Sequence, residues 1–528
     1  MQSIRNGGML KAMLALAVVL SLAFSGASLA GAAQDKLFKL AVASDVTSLD
    51  PHVQLSEETI QYSHWVFDPL VRWTKDMKIE ARLAERWEQT SPTTWRFYLR
   101  KGVKFHSGND FTAKDVVWSL ERLKKAPDYK GLFEPFSEAK VVNDTTVDIM
   151  THKPYGLVLN MMTYLFPMDS KFYTGTDASG QPKDAVNKTG PSFANLNASG
   201  TGPFKVVARQ QDVEMTLEAH PQYWGQRGNV KTLRITPIKN DATRVASLLS
   251  RASDMIMPVP TQDYERLKKN NQIQLVTMNS TRIITIQMNE KTNKALADKR
   301  VREAIICATD NEAIVRTIMR GFTKAATQQI PEGMNGYDPT LKPRYDLARA
   351  KQLLKEAGYD KGLQLNMISP NNRYVNDEKI ALAFVNMMAQ AGITVSLKTM
   401  PRTQYWDVYD EMNSDISLLG WHPDTEDAGN YTEYLLMCPD KATGFGQYNA
   451  NQYCNKRVDE LALACQTETD AAKRTAMLQE IEKIAYDDAA FVPLHFEPHG
   501  WAGSPKLKNF EDILNVMNFP YFGDLVIE

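Results

Sequence analysis

The chain has 528 residues, 43% hydrophobic and 23% charged, with 61 basic against 62 acidic side chains and a formal net charge of −1. That balance excludes a basic nucleic-acid surface, and the length exceeds what one hydrophobic core serves, so two or more domains are expected. Eight histidines and four cysteines are too few and too scattered for a metal protein, and no metal or cofactor is expected.

The first segment reads as an export signal. Basic Arg5 and Lys11 precede an apolar run from Ala12 to Leu29 that ends in small residues, so cleavage is expected near Ala30 or Ala33, with 1–33 removed. No later stretch approaches the ~20 apolar residues that span a bilayer. The mature chain is therefore expected outside the cytoplasm.

Leu37–Ala43 alternates as a strand and runs into the turn-rich loop Ser44–Pro51, which contains Ser48. Further on, Trp95, Phe97 and Leu99 point to one face of a strand, and Arg96, Tyr98 and Arg100 to the other. Thr112 and Asp115 have the spacing of a capping box, and the helix they start places Val116, Leu120 and Leu123 on one side. Gly200-Thr-Gly-Pro-Phe204 fixes a tight entry into a strand over Phe204–Ala208; it lacks the Gly-x-x-x-x-Gly-Lys spacing of a phosphate loop. Ile283–Asn289 reads as a strand, and 298–319 reads as helix because Val301, Ala304, Ile305 and Ala308 recur at 0, 3, 4, 7.

Region 363–424 alternates between two periods. Leu363, Leu365 and Met367 mark a strand, Ile380, Phe384, Met387 and Ala391 a helix, and Ile393, Val395 and Leu397 a second strand; a helical piece over Tyr405–Met412 then leads into Ile416–Gly420. That order implies parallel strands joined by crossovers, and ligands bind beyond the carboxyl ends of such strands. Two loops leave those ends, 369–377 with Arg373 and 420–427 with Asp424. A five-donor guanidinium and an acceptor-only carboxylate on one rim suit a zwitterion such as a short peptide. Asp424 also fits an N-terminal helix cap, and Arg373 a surface pair with Asp377. Trp421 offers stacking area beside the turn; Trp406 and Tyr409 fit either the cleft or the core.

Other chemistries fit poorly. His495 and His499 are four apart, but Pro498 breaks the helix that would align them. Asp424–Asp427 lacks the oxygen ligand that a calcium loop needs at its fifth position, where Ala428 stands. No nucleophile elbow or cysteine–histidine pairing is evident. Cys465 shares a 0, 3, 4, 7 face with Val458, Leu461 and Ala462, and Cys307 lies in a helical pattern; both read as packed thiols.

Several words together resemble the periplasmic solute-binding proteins of ABC importers, in particular the peptide/nickel-binding family: Leu83–Trp87, Trp95–Gly108 and Phe111–Leu120, then Gly200–Phe204, Lys299–Asp310 and Trp421-His-Pro-Asp424. The resemblance extends from about 38 to 500. It implies a carrier, not an enzyme, with an α/β, two-lobed periplasmic binding protein fold of the large peptide-binder type and an extra subdomain in the first lobe. Lobe I would comprise 36–282 with 492–528, including the subdomain 75–199, and lobe II 283–491. By the same resemblance, Asp424 would hold a peptide's amino terminus and Arg373, beside Tyr374, its carboxylate, with Trp421, Trp406 and Ser48 near the ligand. Similar bridges in that family imply a Cys438–Cys454 disulfide, which would contribute ~3 kcal/mol on the chain-entropy model.

The implied function is binding short peptides in an interlobe cleft, as a periplasmic monomer that delivers them to permease subunits in the inner membrane. An opine, oligosaccharide, nickel chelate or haem would suit the same scaffold. A periplasmic hydrolase or chaperone is the rival of a different class.

Overall fold

The computed structural model describes residues 36–187, 191–371, 373–423, 425, 427–440 and 443–528, without the side chains of Arg402 and Thr403. The export signal 1–33 and Asp424 lie outside the described residues. No helix among the described residues is long and apolar enough to cross a membrane.

A ten-stranded mixed sheet organises the molecule. In spatial order its strands are Ile393–Met400, Leu363–Pro370, Ile416–Trp421, Gln274–Met288, Phe491–Gly503, Met255–Met257, Leu37–Val42, Thr232–Pro237, Glu214–Ala219 and Phe204–Gln210. As the alternating periods predicted, Leu363–Pro370 runs parallel to both Ile393–Met400 and Ile416–Trp421. The helices Asp377–Ala391 and Arg402–Asp410 are the crossovers. The strands Gln274–Met288 and Phe491–Gly503 pair antiparallel along most of their length and join the two halves of the sheet.

The apolar clusters divide at these paired strands. One cluster gathers Phe38, Leu40, Leu233 and the C-terminal Phe510, Leu514 and Phe522. It also includes Phe97, Val116, Leu120 and Val147, so the separate four-stranded sheet spanning residues 84–151 shares this core. Two other clusters sandwich the second half. Ile284, Ile286, Leu365 and Met367 face one side, and Ile283, Ile368 and Leu419 face the other, the period-2 alternation of a sheet covered on both faces.

Local details refine the sequence reading. The Thr112 N–H donates to Asp115 Oδ2 at 2.8 Å, completing the capping box of Ala113–Leu123. The expected helix 298–319 divides into Lys299–Ala308 and Asn311–Thr317, because Asp310 accepts from Ala313 N at 2.8 Å and starts a new helix. The strand expected over Ile283–Asn289 begins earlier, at Gln274. His495 and His499 lie on a strand, where Pro498 is accommodated. Cys438 and Cys454 are disulfide-bonded, and Cys307 and Cys465 are buried free thiols.

Gly200 and Gly202 make the expected tight entry into the strand Phe204–Gln210 through close approach. Neither needs a left-handed conformation; each lies flat against the backbone of Val66 and Phe67. A Cβ on Gly200 would meet the Val66 carbonyl oxygen and stand 2.7 Å from Phe67 Cδ1, and one on Gly202 would stand 2.6 Å from Phe67 N.

Glu482, on the helix Ala471–Asp487, is 1% exposed. Burial pushes its carboxyl up to about 7, against the Gln329 N–H that donates to Oε2 at 3.1 Å, with Asp338 adding to the rise. The folded state therefore holds this proton more tightly than the unfolded chain, and stability falls as pH rises from about 4.5 to about 7. The loss should reach roughly 3 kcal/mol. Denaturant melts of Glu482→Gln should lack this share of the slope; identical pH profiles for variant and wild type would remove Glu482 as its source.

Candidate functional site

A cleft of about 530 Å³ opens where the carboxyl ends of the parallel strands meet the paired connecting strands and the first core. Arg373, Tyr374, Trp406 and Trp421 all line it. Four of the six ligand candidates read from the sequence are thus brought together; Asp424 lies outside the described residues. Ser48 is placed elsewhere. It is 3% exposed, its hydroxyl donates to Asn195 Oδ1 at 2.7 Å and accepts from Asp50 N at 3.0 Å, and it is absent from the cleft wall. The same loop is fixed by Asp50, which receives Arg122 Nη1 at 2.8 Å and Nη2 at 2.5 Å. Burial would raise the Asp50 carboxyl, but Arg122 outweighs it and holds the group below the usual range.

The loop after Leu363–Pro370 is tied down at three points. Asp377 Oδ2 accepts the N–H groups of Arg373 (2.8 Å) and Tyr374 (3.0 Å), so this carboxylate serves the loop backbone. Val375 N donates to Glu497 Oε1 at 2.9 Å, and the Tyr374 hydroxyl donates to the Gly420 carbonyl at 3.1 Å. Gly420 has no room for a side chain, since a Cβ would lie 2.5 Å from Tyr374 Cε1. Next to it, Trp421 packs against Tyr434 and Tyr448 with ring centroids 5.2 and 4.9 Å away, and its Nε1 donates to Asn430 Oδ1 at 2.9 Å. Trp406 reaches the cleft, whereas Tyr409 is buried and donates to Gln287 Oε1 at 2.7 Å.

The following turn is anchored by Asp427, the N-cap of Ala428–Tyr431, whose Oδ1 accepts from Gly429 N at 2.8 Å. Its Oδ2 receives Arg474 Nη2 at 2.6 Å and Nε at 3.0 Å in a buried pair, and Arg474 also donates to the Cys465 carbonyl. Capping here belongs to Asp427.

Several lining residues were not found from the sequence. Arg282 emerges where the pairing of Gln274–Met288 with Phe491–Gly503 slips between Asn279 and Ile283, an irregularity of the kind that re-aims a side chain. Its Nε lies 3.1 Å from Glu497 Oε2. Burial and Arg282 keep His422 and His499 uncharged near neutral pH. Glu57, the first residue of helix Glu57–Val66 after the Ser56 cap, faces the cleft, as do Asp410, Tyr164 and Phe519. Although its side chain is open to cleft water, confinement raises the Glu57 carboxyl to about 7; Glu58 and Glu497 add to this, and Asn518 and Arg282 oppose it. The Ser56-Glu57-Glu58 cap was the one legible signal among these residues.

Two bonds tie the segment 156–160 to residues 425 and 466. Asn160 Nδ2 donates to the Thr425 carbonyl at 2.8 Å, and Gly156 N donates to the Gln466 carbonyl at 3.3 Å. A Cβ on Gly156 would collide with the Glu468 carbonyl oxygen and stand 3.3 Å from Arg474 Cδ.

An aromatic, charge-lined cleft between two halves joined by paired strands has the shape and polarity to hold a small solute. Residues 78–443 match the family described as bacterial extracellular solute-binding proteins, family 5 Middle, and the chain belongs to that family. It is 29% identical over 470 residues to the dipeptide-binding protein of Escherichia coli K12, covering 82% of this chain and 85% of that one. It is 28% identical over 484 residues to the glutathione-binding protein GsiB of Salmonella choleraesuis, covering 89% and 91%. The structure of HbpA2 from Haemophilus parasuis superposes with a TM-score of 0.83 at 23% identity, over 93% of this chain and 100% of that one. The fold is the two-lobed α/β fold of periplasmic binding proteins, and the protein is a solute-binding component of the ABC importer type, not an enzyme.

Proposed function

We propose that the protein captures short peptides, di- or oligopeptides, and presents them to permease subunits in the inner membrane. It is exported by residues 1–33, cleaved near Ala30 or Ala33, and works in the periplasm as a monomer. Lobe I, 36–282 with 492–528, and lobe II, 283–491, close on the ligand, because only the closed state touches it from both sides.

The observation that carries this reading is the cleft itself. Guanidiniums and carboxylates line one space of about 530 Å³ beside Trp406 and Trp421, a size suited to a small solute. In the peptide reading Arg373 meets the ligand carboxylate, and Asp424 meets the ammonium. The dipeptide-binding relative supports it, and the glutathione-binding relative marks how far ligands vary.

Native mass spectrometry of protein purified without denaturation should reveal a bound peptide. Calorimetry with dipeptides should then show Asp424→Ala losing at least ~2 kcal/mol of affinity, since each buried ligand charge needs its partner. An opine, sugar, nickel chelate or haem mass, with affinity for it intact in Asp424→Ala and Arg373→Ala, would overturn the peptide reading.

A further inference from the structure

We propose that Glu57 selects ligands with a cationic side chain, so that the preferred cargo is a peptide of net positive charge. This rests on the peptide reading and adds a preference to it. The argument is one of charge balance. Among the described residues the cleft wall carries two guanidiniums, Arg282 and Arg373, and two carboxylates, Glu57 and Asp410. Glu497 stands against Arg282 at 3.1 Å and neutralises it at short range. The wall is therefore left with more carboxylate than guanidinium. A zwitterionic backbone brings one charge of each sign, and a carboxylate enclosed without a partner is costly. A second cation on the ligand removes that cost.

Glu57 is the better placed of the two carboxylates. Among the wall positions of lobe I, 36–282 with 492–528, it shares charge with Arg282 alone, which Glu497 pairs, and its other neighbours there are Leu55, Ser56, Ile60, Tyr164, Met517 and Phe519. Its contact with a cation would form only as the lobes close, so it would discriminate between ligands at that step. The carboxyl is held in place: Asn518 Nδ2 donates to Oε1 at 2.6 Å and Gln61 Nε2 to the same oxygen at 3.4 Å. Asp410, likewise exposed, ends the helix Arg402–Asp410 on the side of the cleft that also carries Arg373.

The surroundings of Glu57 add a second readout. Glu58 on its own helix and Glu497 on Phe491–Gly503 disfavour its charge; Arg282 on Gln274–Met288 and the Asn518 amide favour it. Arg373 and Asp410 share the cleft from the other side. With the carboxyl at about 7, a cationic ligand should gain more from Glu57 at pH 8 than at pH 6.

The test is calorimetric titration of the unliganded full protein with Ala-Lys and Lys-Ala against Ala-Met and Met-Ala. At pH 8 the wild type should prefer one lysine peptide over its methionine counterpart by about tenfold or more, and this ratio should shrink at pH 6. Glu57→Gln should bring the ratio to within about twofold at both pH values, and Asp410→Asn should retain most of it. Methionine peptides that bind as tightly as lysine peptides, or a lysine preference that survives Glu57→Gln, would sink the inference and leave the peptide reading standing. A wild type that binds none of the four, and no tri- or tetrapeptide with or without lysine, would remove both.

Discussion

Arg474→Ala should destabilise the protein by about 3–5 kcal/mol, because it leaves Asp427 buried without its partner. The pair is inaccessible on both sides, with side chains 5% and 1% exposed. The same guanidinium also holds the Cys465 carbonyl. Ligand affinity should fall as well, since Asp427 anchors the turn that follows Trp421. Replacing both partners, Asp427→Asn with Arg474→Met, should recover much of the stability, as no isolated charge is then buried. Denaturant unfolding of the single and double variants measures this; a single variant within about 1 kcal/mol of wild type would show that water reaches the carboxylate.

Gly202→Ala should cost about 3 kcal/mol or more, because the atoms in the way are backbone, and Gly200→Ala a comparable amount, because the Val66 carbonyl and the buried Phe67 ring stand there. The Val66–Phe67 peptide follows the helix Glu57–Val66, so it can retreat only by moving the element that carries Glu57 into the cleft. Gly108→Ala provides the contrast. It has φ +92° and open space around a Cβ, so its cost is the smaller, purely conformational one. Thermal melts of the three variants separate close approach from backbone strain; equal losses would refute the distinction.

The stretch 363–421 was legible because its strands and helices keep clean periods. Leu363, Leu365 and Met367 and then Ile380 and Phe384 predict a crossover, and a crossover fixes the edge at which Arg373 and Trp421 emerge. The remainder of the cleft was not legible, for a physical reason. Glu57, Arg282 and Glu497 converge from the beginning, middle and end of the chain, and Arg282 owes its direction to a slip in strand pairing that leaves no mark in local composition. Ser48 was misplaced because a turn-rich loop looks accessible in sequence. Arg122, seventy-two positions away from Asp50, holds that loop inside. Within 298–319 the apolar period continues past Thr309, yet the Asp310 side chain begins a second helix there.

Under the proposed division into lobes, Gly156 and Asn160 each bond to the opposite one, and shutting the cleft would then not be left to the cargo alone. Any free energy these two hydrogen bonds supply to the empty protein raises the fraction already shut, and so lowers the external nutrient concentration at which uptake begins. The scavenging threshold of the transport system could thus drift through substitutions at the rim, with the chemistry of recognition left untouched.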